Sequence, residues 1–351
     1  MVMASCVRCV SGSSRRSFAS RPLVHLSSAP GAKFEGCEIG SPYPIVPHET
    51  SSALRHVDSG IPKPWYADTS MSSDEQAEQD DVATCGSLLG ADQIRTAREV
   101  GRITREVADH AVSLLREGVT TDVIDEVVHN GIISRGAYPS LLHYRGFHKS
   151  LALNINEVVA LGLPDWRPIE AGDVITVVVA CFMDGLHCKV CETTIAAGSE
   201  IQANEISGDS SDRLERSDRL IQAARDAVDE AIREASKTGA TTGDVYAAIQ
   251  SVANLHGCRV VKRLGGHGIG TEFQCAPYVT LSGSQSSDSP TRLEPGTMLS
   301  IEPILVEGHS ACAHWSNGFT SCTVDGGMGA QFGATVLIAD GGAEVLTSTR
   351  T

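Results

Sequence analysis

Two stretches of this 351-residue chain repeat one another. Arg116-Glu-Gly-Val-Thr-Thr-Asp-Val opens a helical pattern that runs to Gly136, and Lys237-Thr-Gly-Ala-Thr-Thr-Gly-Asp-Val opens one that runs to Gly257. In both copies two glycines lie 18 residues apart, and the Thr pair stands where a helix N-cap is expected. A longer amphipathic pattern precedes each copy, at 91–116 and at about 217–236. In the first, Ile94, Ala97, Val100, Val107, Ala111 and Leu114 recur at three- and four-residue intervals. β-rich sequence follows each copy: Gly172-Asp-Val-Ile-Thr-Val-Val-Val-Ala aligns with Gly296-Thr-Met-Leu-Ser-Ile-Glu-Pro-Ile at an offset of 124, both reading as buried strands entered through a glycine turn. The repeat predicts an α+β domain of two halves related by a pseudo-two-fold axis, with a ligand cleft between them. On this register Val178 is the twin of Glu302.

Composition narrows what such a domain can do. The formal charge is -15, and residues 1–34 hold five basic side chains (Arg8, Arg15, Arg16, Arg21, Lys33) with no Asp or Glu, so the body is more acidic than the total. An acidic body lacks the clustered Lys and Arg that phosphate neutralisation requires, so no nucleic-acid partner is expected. The strongest apolar run, Val174 to Met183, is half of what a membrane-spanning helix needs, about 20 residues, and no membrane partner is expected.

Arg- and Ser-rich, acid-free residues 1–34 read as an organelle transit peptide, mitochondrial with plastid as the alternative. Residues 35–90, rich in Pro, Ser and Gly with an acidic run at 74–81, read as linker, and 91–348 as the folded domain. The polar segments Asn204–Arg216 and Ser282–Thr291 read as surface loops. The eleven cysteines read as mostly free, buried thiols.

Two places carry candidate chemistry. His267 sits between glycines in Gly266-His-Gly-Ile-Gly270, whose spacing is wrong for a dinucleotide loop, so the histidine itself is the candidate, against a turn histidine bonded to backbone. Glu302, a carboxylate inside the apolar run Ser300–Ile304, needs a partner because an unpaired buried acid is costly. His187-Cys188-Lys-Val-Cys191, with Cys181 upstream, has C-x-x-C spacing that suggests zinc. In a strand, however, residues i and i+3 face opposite ways, which argues against joint chelation.

Several ordered blocks carry a resemblance. Gly-Ala-Tyr-Pro-Ser at 136–140, Tyr-Arg-Gly-Phe-His-Lys-Ser at 144–150, Asn156-Glu157-Val-Val, Gly162-Leu-Pro-Asp165, Gly172-Asp173-Val, Asp184-Gly185-Leu-His187, Gly-His-Gly-Ile-Gly and Ile-Glu-Pro together resemble the type I methionine aminopeptidases of peptidase family M24 over roughly 91–348. Residues 61–68 resemble the extension of organellar members. The resemblance implies the duplicated pita-bread α+β fold. It also implies two divalent metal ions (cobalt, manganese, iron or zinc) that activate a water against the bond after an N-terminal methionine.

Residue by residue, the resemblance then turns against activity. Three of the five implied metal ligands are replaced, at Val178, Lys189 and Gly333, while His267 and Glu302 remain. Two further active-site histidines are replaced by Leu161 and Gln274. Hard divalent ions need several oxygen donors, and Val and Gly supply none. No cofactor is therefore expected. Lys189 brings an ammonium toward the former metal volume, which suggests an ion pair with Glu302 in place of the metals, against a solvated lysine. Phe147 keeps an aromatic of the methionine pocket and Phe319 stands where many members have Trp, whereas Ala152 and Leu161 remove functional groups. The resulting expectation is a catalytically inactive member that binds a peptide N-terminus or a protein partner. The alternative is an active metalloaminopeptidase of nascent organellar proteins, with Cys181, His187 or Cys188 as substitute ligands.

Overall fold

A computed structural model describes residues 54–67, 76, 89–198, 208–262, 264–279 and 290–348. The expected transit peptide at 1–34, most of the 35–90 segment, 204–207 and 282–289 lie outside the described residues.

Helix α1 (Ala91–Ser113) buries Ala97, Val100, Ile103, Val107 and Ala111 on one stripe and turns ion pairs such as Arg98–Glu344 outward. It ends three residues before the sequence pattern does. Helix α2 (Thr121–Ile133) begins at N-cap Thr120. The second copy supplies α3 (Gly208–Ala235) and α4 (Thr242–Leu255). Helix α3 starts well before 217, so residues 208–216, expected as loop, are helical: the charged residues among 212–216 belong to the helix, and Arg213 donates from it to Asn156 Oδ1 at 3.1 Å. The two Thr pairs occupy the same place, but their bonding differs. Thr120 makes no side-chain cap bond, whereas Thr241 Oγ1 accepts from the Asp244 amide and Asp244 Oδ2 accepts from the Thr241 amide at 2.9 Å. The repeated glycines share a cause. Gly118, Gly136, Gly239 and Gly257 all take left-handed φ, at 85°, 75°, 78° and 69°, where a Cβ is disfavoured.

In the first half, β1 (Tyr138–Pro139), β2 (Leu151–Ile155), β3 (Val158–Ala160), β4 (Val174–Met183) and β5 (Leu186–Ile195) follow α2. The apolar run of β4 is central: β5 pairs along one edge, β2 and β1 along the other, all antiparallel, and α1 covers β4 and β5.

In the second half come β6 (Arg259–Val260), β7 (Gly266–Gly268), β8 (Met298–Ile301), β9 (Ile304–Val306), β10 (Cys312–His314), β11 (Ser321–Thr323), β12 (Gly329–Gln331), β13 (Ala334–Ala339) and β14 (Gly342–Val345). Its ladders are broken twice. Glu302-Pro303 separates β8 from β9, proline having no amide to donate, and Phe332-Gly333 separates β12 from β13. The result is one sheet in the order β14-β13-β8-β7 and another in the order β12-β9-β6, while β10-β11-β3 joins residues of both halves.

The halves meet at a point that the register identifies. Cys191 and Gly333 exchange both backbone hydrogen bonds, at 3.1 and 3.0 Å. Val178 pairs with Cys191, and Ala334 pairs with Ile301, so Val178 and Glu302 stand symmetrically about this crossing. Each half keeps its own apolar core, one built on α1, α2, β2, β4 and β5, the other on α3, α4, β8, β9, β12 and β13.

The linker expectation needs correction. Residues 54–67, assigned to linker from composition, pack on the body: Val57 and Tyr66 are buried, Tyr66 Oη donates to the Ser140 carbonyl at 2.6 Å, and Trp65 Nε1 donates to Glu272 at 2.8 Å. Proline-rich composition marked irregular backbone there but not its large aromatic anchors. Among the described cysteines, Cys181, Cys188, Cys191, Cys258, Cys312 and Cys322 are free and mostly buried, as expected, and Cys275 is disulfide-bonded. Among the described residues no helix is long and apolar enough to cross a membrane.

Candidate functional site

The interrupted strand that carries Glu302 and the continuous strand that carries Lys189 come together beside the Cys191–Gly333 crossing. Lys189 and Cys191 share one face of β5 because side chains alternate along a strand. Lys189 Nζ contacts both carboxylate oxygens of Glu302, at 2.8 Å to Oε1 and 2.7 Å to Oε2. His267 Nε2, held on β7, lies 3.0 Å from Oε1. Cys191 Sγ donates to Oε2 at 3.3 Å, and Gln331 Nε2 reaches the same oxygen at 3.4 Å and the Glu302 carbonyl at 3.2 Å. His267 Nδ1 is 2.9 Å from the Gly268 carbonyl.

Electrostatics follow from this enclosure. Burial pushes the Glu302 carboxyl up, but Lys189 and His267 outweigh it and hold the group down at about 2. Burial likewise works against the Lys189 ammonium, and Glu302 more than compensates, raising it. Burial first, and Glu302 beside it, drive the Cys191 thiol well above its ordinary range, which fits its role as donor. Every strong charge in the group therefore has a partner of opposite sign.

Above this floor lies a cleft of about 220 Å³. Phe147 and Phe319 meet edge to face across 5.7 Å, and Tyr144 meets Phe273 at 4.8 Å. Ala152 and Val178, register partners on β2 and β4, line it as well. Leu161 reaches it from a left-handed backbone (φ 50°), and Gln274 completes the rim. Val178, Lys189, Leu161, His267, Gln274, Glu302, Phe147 and Phe319 thus line one cavity. Gly333 abuts it, for a Cβ there would stand 2.7 Å from Glu302 Cβ.

The cysteine constellation divides as strand geometry requires. Cys188 faces α1 and donates to the Ala97 carbonyl at 3.5 Å, opposite Cys181 in register, while Cys191 faces Glu302. His187 is fully buried among Tyr66, Phe182 and Phe273, with Nδ1 2.8 Å from Ser140 Oγ, and burial lowers it to about 3. These residues pack; they do not converge on an ion. Sequence reasoning missed Cys191 and Gln331 as partners of Glu302. Their available signal was alternation, since Cys191 lies two residues from Lys189 and Gln331 two from Gly333.

Residues 95–340 match metallopeptidase family M24. Methionine aminopeptidase 1 of Saccharomyces cerevisiae is 33% identical over 319 residues, 91% of this chain and 76% of that protein. The chain belongs to metallopeptidase family M24. The mitochondrial methionine aminopeptidase 1D of Dictyostelium discoideum is 40% identical over 260 residues, 73% of this chain and 60% of that protein's length. Among solved structures, the methionine aminopeptidase of Rickettsia prowazekii has a TM-score of 0.66 at 29% identity, covering 75% of this chain and 99% of that one. That of Thermotoga maritima has a TM-score of 0.67 at 26% identity with the same coverage. The two α+β halves about a pseudo-two-fold are the M24 pita-bread fold.

The residues present do not fit the two-metal centre that membership in M24 implies. Val178 and Gly333 offer no donor atom, and the Lys189 ammonium occupies the carboxylate that remains. Among the described residues no three His, Cys, Asp or Glu side chains are grouped to hold a metal.

Proposed function

We propose that this M24 member does not hydrolyse the bond after an N-terminal methionine and serves instead as a binding protein, holding a peptide end or a protein partner in its cleft. The observation that carries the reading is the Lys189 ammonium 2.7 Å from Glu302 Oε2, in a site whose other acidic ligand positions are Val178 and Gly333. Activation of water at neutral pH in this family's chemistry depends on metal, and a metal here would compete with a cation already satisfied by both oxygens of the carboxylate. The cleft and its aromatic wall support retained binding.

The test is hydrolysis of a Met-Ala-Ser peptide by the purified protein with added cobalt or manganese, beside an active methionine aminopeptidase. No methionine release from a cooperatively folded sample is expected. Release above blank that His267→Ala abolishes would establish the rival reading, an active aminopeptidase rebuilt around His267 and Glu302.

The same proposal places the protein in an organelle, the mitochondrion before the plastid. Its supports are the acid-free, Arg-rich residues 1–34 and the mitochondrial designation of the Dictyostelium relative. Fusion of residues 1–34 to a fluorescent protein, followed by imaging, checks it.

A further inference from the structure

The donor and acceptor inventory of the cleft identifies the kind of ligand it can take. A carboxylate has about four acceptor sites. Glu302 already receives Lys189 on both oxygens, His267 on one, and Cys191 and Gln331 on the other. An incoming ammonium therefore finds no open acceptor on Glu302. Donors, by contrast, remain: an ammonium has three hydrogens, and Lys189 commits at most two to Glu302. Arg145 lines the cleft as well, so its two permanent cations, Arg145 and Lys189, outnumber its one carboxylate, Glu302, within a chain of net charge -15. A local field of that sign draws an anion and repels a cation. The Phe273 ring lies 6.0 Å from Lys189 Nζ, and Val178, Ala152, Phe147 and Phe319 supply apolar wall to the same cleft.

We propose that the cleft binds a carboxylate carried on an apolar chain, with the ligand's oxygen accepting from Lys189 Nζ and its chain lying along Phe147, Phe319 and Val178, and that it excludes the N-terminal ammonium a peptidase of this family would have to admit. This rests on the binding role proposed above and specifies its ligand. The recognised group is either the C-terminal carboxylate of a polypeptide or a free aliphatic acid.

The experiment is calorimetric titration of the full chain with N-acetylmethionine, which has the carboxylate without the ammonium, and with methioninamide, which has the ammonium without the carboxylate. N-acetylmethionine is expected to bind at least about tenfold more tightly, the ratio a single charge-assisted hydrogen bond supplies. Equal binding, preference for methioninamide, or binding of neither overturns the proposal. Lys189→Met/Glu302→Gln keeps the pocket neutral and should remove the preference while the protein still melts cooperatively. Retained preference in that variant also overturns it. N-acetyl-Ala-Ala-Met against hexanoate separates the sources: tighter binding of the peptide identifies a polypeptide C-terminus, and equal binding a free acid. Preference for methioninamide without methionine release defeats this inference alone, whereas methionine release from Met-Ala-Ser defeats the inactive reading.

Discussion

Lys189 and Glu302 join the two halves of the duplicated fold: the ammonium comes from β5 of the first half, the carboxylate from the β8–β9 break of the second, and they meet at 2.7 Å. Both side chains are largely removed from water, at 15% and 7% exposure. Breaking such a pair from one side leaves an uncompensated buried charge. Lys189→Met should therefore cost about 3–5 kcal/mol in urea unfolding. The double variant Lys189→Met/Glu302→Gln should recover most of that loss. A single variant as stable as the parent would show that the pair contributes nothing.

Metal content is the second expectation. Purified protein dialysed against manganese or cobalt should retain no stoichiometric ion by elemental analysis. The triple variant Val178→Asp/Lys189→Asp/Gly333→Glu supplies the missing carboxylates and should retain metal, although Gly333→Glu alone should destabilise by about 1–3 kcal/mol through overpacking against Glu302 Cβ. Thermal melts of the single variant check that cost.

His187 predicts part of the acid response. Burial holds it neutral down to about pH 3, while an unfolded histidine takes up its proton near 6.5. Between those values the unfolded chain binds the extra proton, so stability is fully present above pH 6.5 and is lost as pH falls toward 3, by about 1.4 kcal/mol per unit at most. His187→Phe should show a shallower loss between pH 6.5 and 4 in urea midpoints measured at successive pH values. Parallel slopes for the two proteins would refute the assignment.

Arg55 ties residues 54–67 to α2. Its Nε donates to Asp125 Oδ2 at 3.0 Å, and Asp125 is fully buried. Burial drives the Asp125 carboxyl up, with Lys149, Ser150 and Arg55 opposing. Arg55→Met should cost about 1–3 kcal/mol in urea unfolding by removing one of those partners. An unchanged midpoint would show that Arg55 does not hold the segment.

How much of this was legible in the sequence depends on whether the signal was periodic. The duplication was legible because Gly118, Gly136, Gly239 and Gly257 answer one backbone requirement, left-handed φ, at the same repeat positions. The cleft was legible because Val178, Lys189, Gly333, His267 and Glu302 hold ordered places in a resemblance that spans the domain. For Cys191 and Gln331 alternation offered only a face, that of Lys189 and of Gly333; their partnership with Glu302 depends on how close β5 and β12 come at the crossing, which no local pattern encodes. Residues 54–67 were misjudged for a related reason: Trp65 and Tyr66 bury against residues far along the chain, and a proline-rich context conceals that.

The close approach at Gly333 also bears on reversibility. A Cβ on residue 333 would stand only 2.7 Å from Glu302 Cβ, and the crossing to Cys191 fixes the backbone of residue 333 there. A carboxylate reinstated at 333 is penalised until the neighbouring strand shifts, and one at 189 removes the cation that balances Glu302. Either replacement made alone therefore costs stability. Under the binding reading proposed above, positions 189, 302 and 333 are coupled, and an acidic residue enters 189 or 333 without loss only when its neighbours change with it.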